Sequence, residues 1–210
     1  LPEEEEYKDL LLQIAPPIYT ISLDECVAKN IVSPYEIYCM PVELTAQERE
    51  DYKIINNNFV RCKYALGQYD AFNQARSIMA SSSASREDKS VAAQFYKAIR
   101  ERKAIVDFAH NKVAKFQHLI QTHPNKKVLV FSGANDFTDQ LCDSVKPLAV
   151  SYHSGIKKKT RDKSLSSFKN NETNILCSTK ALNQGLDIPN ANLGIICGIT
   201  SKSLSMIQRV

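Results

Sequence analysis

Three apolar runs in the second half of this sequence stop abruptly at small polar residues, and those exits are where chemistry can be done. Lys127-Val128-Leu129-Val130-Phe131 runs into Ser132-Gly133, Leu148-Ala149-Val150-Ser151-Tyr152 into His153-Ser154-Gly155, and Ile175-Leu176-Cys177 into Ser178-Thr179. Small hydroxyls and glycines fill a core poorly. With the backbone N–H groups beside them, they suit the oxygens of phosphates. Beyond the third exit, Gly185 permits a backbone conformation closed to other residues, and Asp187 either accepts hydrogen bonds from a ribose or caps the turn before Pro189. Directly after the second exit, Lys157, Lys158, Lys159, Arg161 and Lys163 place five positive charges within seven positions. Alone, such a cluster is a solvated helix face. Beside a phosphate-lined edge it adds sequence-independent attraction that weakens as salt rises.

The elements that must position these residues alternate. Short runs of strand character at about 127–131, 148–152, 174–178 and 193–197 are separated by helical stretches at about 135–146 and 158–169. That order predicts an α/β fold with a parallel sheet and right-handed crossovers. Ligands of such sheets bind beyond the carboxyl ends of the strands, so all three polar exits should lie along one edge.

Upstream, Pro2 and the acidic run Glu3 to Glu6 open a helix that ends before Pro16-Pro17, and Ile18 to Ile21 is a short strand. Ser22 with Glu25 and Thr45 with Glu48 are capping boxes. Between them, 33–44 is extended, and Pro34 and Pro41 suggest an edge position or a crossing linker. From Thr45 to Thr122 the pattern is mostly helical, with a hinge at Ser81-Ser82-Ser83-Ala84-Ser85. Its last helix puts Val91, Phe95, Ile99, Val106, Val113, Phe116 and Ile120 on one core-facing stripe. The expected organisation is therefore a linker and edge strand over 1–44, a helical segment over 45–122 and an α/β core over 123–210.

Composition sets the outer bounds. A chain of 210 residues, 43% hydrophobic and 24% charged, can bury a real core, and its net charge of +4 is too small by itself to indicate nucleic acid. No apolar run is long enough for a membrane span and no secretory leader is evident, so an intracellular protein, in cytoplasm, nucleoid or nucleus, is expected. The six cysteines include no C-x-x-C pair, which points to reduced, buried thiols and no metal site. His110, His118 and His123 lack the HExxH form and are expected to be solvated or capping. G-x-x-x-x-G-K-[ST] is absent, as is an acidic strand end that could hold a metal-bound triphosphate. A chain that begins at Leu1 and stops at Val210 within a helical pattern is expected to be a piece of something longer.

In series, these residues match a family. VLVFSG (128–133), YHSG (152–155), R-x-x-x-L-x-x-F (Arg161, Leu165, Phe168), ILCSTKALNQGLDIP (175–189) and the terminal Gln208-Arg209 resemble motifs IV, IVa, V and the start of VI in the second, C-terminal RecA-like domain of superfamily 2 helicases. SPYEIYCMPVELTAQEREDY (33–52) is similar to the link after motif III in DNA helicases related to the transcription-repair and type III restriction translocases. The resemblance implies ATP-driven movement on DNA. It implies that Ser132, Gly133, His153, Ser154, Gly155, Lys157, Ser178 and Thr179 meet the phosphate backbone of a single strand or duplex. Gly185 and Asp187 would couple nucleic acid to nucleotide, and Gln208 and Arg209 would face the ATP cleft. ATP and Mg²⁺ would be held mainly by an N-terminal RecA-like domain of the same protein, so the 210 residues alone are expected to be inactive. Two other readings stay open: a non-catalytic nucleic-acid-binding or annealing module with this fold, and an unrelated α/β enzyme.

Overall fold

The computed structural model of the chain describes residues 12–15, 19, 21–31, 34–179 and 191–198. Both capping boxes form. The Ser22 hydroxyl accepts from the Glu25 N–H while the Glu25 carboxylate accepts from the Ser22 N–H, opening α1 (Leu23–Ala28). Thr45 and Glu48 repeat the exchange at the start of α2 (Ala46–Ala65). Residues 34–44 between these helices are in neither helix nor strand, as a crossing linker would be, and Tyr19 and Ile21, the described residues of the short strand expected over 18–21, are in no strand. Pro34 and Pro41 have no N–H to give a ladder. Of the helix expected from Pro2, residues 12–14 are described and helical.

α2, α3 (Ala71–Ala80) and α4 (Arg86–Asp107) pack into a helical arm with its own core of Cys62, Leu66, Ala71, Ala75, Ala92 and Phe95. Alanines bring the helix backbones close, and Phe59 stacks on Phe95 with ring centres 5.4 Å apart. The Arg102 guanidinium lies over the Phe59 ring at 4.3 Å and donates to the Tyr52 hydroxyl at 3.0 Å. The serine run separates α3 from α4, and Ser85 caps α4 by accepting from the Asp88 N–H.

The single apolar stripe expected from Val91 to Ile120 is divided between two helices. α4 ends at Asp107, and α5 (His110–Thr122) starts after Ala109 with no proline or glycine at the junction. The break is tertiary in origin: Phe108 packs edge-on against Phe137 at 5.6 Å, and Glu48 Oε1 accepts from the His110 N–H at 2.8 Å. Phe95 therefore serves the arm, Phe116 and Ile120 serve the sheet, and Val106 is left exposed.

Glu48 thus ties the root of the arm to the body. Hydrogen bonds from the backbone of His110 and then of Thr45 hold its carboxyl below the ordinary carboxylate range. Glu48→Ala is expected to cost about 1–2 kcal/mol and to speed amide exchange at His110. Because the folded pKa is the lower one, this stabilisation is complete above the unfolded value and disappears as pH falls through the folded value. The gap between wild type and variant should close in acid; a gap that is constant with pH would remove Glu48 from this role.

The second half builds a parallel sheet of β1 (Val128–Phe131), β2 (Ala149–Tyr152), β3 (Ile175–Ser178) and β4 (Leu193–Ile196), in the spatial order β2-β3-β1-β4. α6 (Asn135–Asp143) connects β1 to β2, and α7 (Lys158–Lys169) connects β2 to β3. Alternation along the strands sorts side chains between two layers. Val128, Val130, Ala149, Ile175 and Cys177 pack on α5 and α6 through Phe116, Ile120, Phe137 and Leu141. Leu129, Phe131, Val150 and Leu176 pack on α7 through Leu165 and Phe168. Both faces are covered, as a parallel sheet requires.

All six cysteines are free: Cys62, Cys142 and Cys177 are buried, while Cys26 and Cys197 are half-buried and Cys39 is exposed. Among the described residues no helix is long and apolar enough to cross a membrane.

Candidate nucleic-acid interface

The register brings the polar exits together. Phe131 pairs with Ser178 and with Ile196, and Tyr152 pairs with Ser178, so all four strands end at one level. The Ser132 N–H donates to the Ser178 carbonyl at 2.9 Å and carries the β1–β3 pairing one residue past the strands.

At this edge the exit residues divide into an inner and an outer set. Ser132, His153, Ser178 and Thr179 are buried, with 1%, 3%, 0% and 7% exposure. Their polar atoms are engaged within the protein. Ser132 Oγ lies 2.6 Å from Thr138 Oγ1 and donates to the Ala134 carbonyl at 2.9 Å. Ser178 Oγ donates to the Thr179 carbonyl at 3.1 Å, and Thr179 Oγ1 donates to Asn135 Oδ1 at 3.3 Å. His153 Nδ1 accepts from the Gly155 N–H at 3.2 Å, leaving Nε2 to donate to Asp139 Oδ1 at 3.0 Å. These side chains brace the edge from inside. Gly133, Ser154, Gly155 and Lys157 form the exposed outer set.

Gly155 is constrained in this turn by its neighbours. A Cβ there would lie 3.1 Å from His153 Nδ1 and 3.2 Å from Asn135 Nδ2, so any larger residue would need these two side chains to give by a few tenths of an ångström.

The basic cluster is split in the same way. Lys157, Lys158, Lys159 and Lys163 are exposed, whereas Arg161 is half-buried with its guanidinium 5.5 Å from the Tyr152 ring centre. Lys157 is the cap residue of α7 and makes no side-chain capping bond, and the first turn contains no acidic residue. Helix N-termini carry partial positive charge and ordinarily collect Asp and Glu. Here three lysines sit on that end instead, which disfavours the isolated helix and favours an anion beside it.

Sequence patterning did not single out α6, whose first turns hold the exits. Asn135, Thr138 and Asp139, at i, i+3 and i+4 on one face, reach Thr179, Ser132 and His153 respectively. Burial pushes the Asp139 pKa up, but hydrogen bonds from His153 and Ser151 outweigh it and leave the carboxyl below its ordinary range. The available signal was three polar residues at helical spacing just after a strand exit. Gly185, Asp187, Gln208 and Arg209 lie outside the described residues.

Comparisons with known proteins agree with this architecture. The family model described as the helicase conserved C-terminal domain matches residues 111–210. A DNA 3'-5' translocase, XPB2, of Sulfurisphaera tokodaii is 23% identical over 215 residues, covering 100% of this chain and 47% of its own length. The chain thus spans about half the length of the curated relative it matches. Among solved structures, the C-terminal domain of the SWI2/SNF2 ATPase of Sulfolobus solfataricus superposes with a TM-score of 0.50 at 20% identity, over 73% of this chain and 68% of that one. The helicase domain of Hef from Pyrococcus furiosus gives 0.40 at 18% identity, over 77% and 36%. Residues 111–210 thus match the helicase conserved C-terminal domain, and the parallel sheet with its strand exits agrees with the fold of the SWI2/SNF2 C-terminal domain.

Proposed function

We propose that this chain is the C-terminal motor domain of an ATP-dependent DNA helicase or translocase, gripping the phosphate backbone at its strand edge and contributing half of an ATP cleft. The observation that carries the reading is the lysine-bearing, uncapped N-terminus of α7 next to the exposed Ser154-Gly155 turn, level with the ends of β1 and β3. The Gly133 backbone N–H, the Ser154 hydroxyl and the Lys157 ammonium are the groups offered to phosphates, while the Gly155 N–H is taken by His153 Nδ1. Ser132, His153, Ser178 and Thr179 hold that edge in shape and act through backbone groups. Groups of this kind read backbone and ignore bases, as a motor that tracks any sequence needs. DNA is favoured over RNA because the full-length relative is described as a DNA translocase.

Because the sequence contains no phosphate loop, Mg²⁺ and most of the ATP are assigned to a partner RecA-like domain. When bound between two such domains, ATP supplies the free energy for closing and reopening the cleft. Gly185 and Asp187, continuing from Thr179, would relay cleft closure to the strand edge, and Gln208 and Arg209 would face the nucleotide. A non-catalytic nucleic-acid-binding or annealing module would share the grip but never gain ATP turnover from any partner domain.

Titrating a fluorescent single-stranded oligonucleotide against the chain over a range of salt tests the grip. Binding should weaken linearly in log salt, and replacing Lys157, Lys158 and Lys159 by Ala should lower affinity and reduce the slope by about 2. An unchanged slope in the triple variant would place the phosphates elsewhere.

A further inference from the structure

We infer that the first turn of α5 is a clasp that makes the helical arm and the α/β core a single rigid body, with Lys112 as the pin between the end of the arm and the β4 exit. The inference concerns the arm, and neither it nor its test depends on the phosphate grip proposed above.

The two parts have separate cores. The arm packs around Cys62, Ala92 and Phe95, the sheet packs its own residues on each face, and among the described residues no side chain belongs to both. Apolar burial therefore holds each part together without setting the angle between them. At the junction Phe108 meets Phe137 edge-on, and three successive residues of α5 add polar ties. The His110 N–H donates to Glu48 Oε1 of the arm at 2.8 Å, and Asn111 Nδ2 donates to the Glu43 carbonyl of the linker at 2.8 Å. Lys112 Nζ donates to the Cys197 carbonyl, just past β4, at 2.6 Å. The same ammonium lies 3.5 Å from the carbonyl of Asp107, the last residue of α4. One cation thus touches the end of the arm and the end of an edge strand, and the Cys197 N–H is itself bonded to the Phe131 carbonyl of β1 at 2.8 Å.

The chemistry of this pin suits geometry better than stability. Lys112 is half-buried, and burial pushes its pKa down against the upward pull of Cys197 and of the Asp107 carboxylate. Lys103, the other cation here, pairs with Asp107. A charge drawn out of water costs free energy that an apolar side chain of similar length would not. What the ammonium supplies is direction, because it donates to carbonyls on two elements and a methionine donates to neither.

Chymotrypsin reads the junction directly. Phe108 is 39% exposed, and it must leave Phe137 before the chain can be cut beside it. With the full chain held well below the melting transition of each variant, Lys112→Met should speed cleavage after Phe108 about tenfold, because cleavage follows the population of the open junction and the lost bonds involve a charged group. Asn111→Ala, which removes a neutral bond at the surface, should speed it about threefold. Cleavage after Tyr69, 97% exposed in the turn between α2 and α3, should keep its wild-type rate in both. Unchanged cleavage after Phe108 in either variant overturns the inference. So does a rise shared equally by Phe108 and Tyr69, since the residue would then serve the folding of the whole chain and not the angle of the arm.

Discussion

Phe168→Ala is expected to destabilise the domain by about 3–5 kcal/mol, more than any surface change in the exits. Phe168 has 0% exposure and closes the α7 side of the core against Phe131 and Leu176, with Leu129 and Leu165 at its flanks. Its ring also carries the Lys127 ammonium at 4.9 Å, and that ammonium donates to Asn171 Oδ1 at 2.8 Å. Truncation would open a cavity under the sheet and strip the apolar cover from a lysine that is 8% exposed. The loss should appear as a drop in Tm of roughly 6–20 °C. Phe168→Leu keeps most of the apolar volume and should cost under about 1.5 kcal/mol. If the alanine variant loses less than that, the ring is not the support described.

The same residue shows what the resemblance was reading. Arg161, Leu165 and Phe168 together resemble one helicase signature, yet Leu165 and Phe168 pack in the core and Arg161 covers Tyr152. Part of the signature is therefore a packing rule for α7 against β2 and β3, while the lysines on its first turn face outward. Stability and grip can be separated experimentally for that reason: Phe168 answers to temperature, the lysines to salt.

The strands and their exits were legible because a short apolar run that stops at Ser-Gly or Ser-Thr leaves little alternative in a βα pattern. Direction was less legible. Whether a hydroxyl at a strand exit points to solvent or back into the fold depends on what the next helix offers, and Thr138 and Asn135 offered partners to Ser132 and Thr179. Those α6 residues look like ordinary surface in sequence. The split between α4 and α5 was invisible for a similar reason, since it is made by Phe137 and Glu48, residues far from the junction in the chain. Periodicity alone carries no information about contacts of that range.

The 210-residue chain alone is expected to release no phosphate from ATP, with or without DNA. Joined to an N-terminal RecA-like domain that carries a phosphate loop, it should gain turnover by a factor on the order of 10³ or more, the range in which a completed phosphoryl-transfer site acts. The reason for the expectation is that the sequence contains no phosphate loop. In the joined protein Asp187→Ala should cut turnover about tenfold or more, as loss of a hydrogen bond to a charged group does. DNA affinity should largely survive that change, because Gly133, Ser154, Gly155 and Lys157 belong to the exits of β1 and β2 and not to the segment after β3. Steady-state phosphate release, measured alongside oligonucleotide affinity, separates the two effects. DNA-stimulated turnover by the isolated chain would contradict the division of labour, and equal losses of turnover and affinity in Asp187→Ala would move that carboxylate from the nucleotide side to the DNA side.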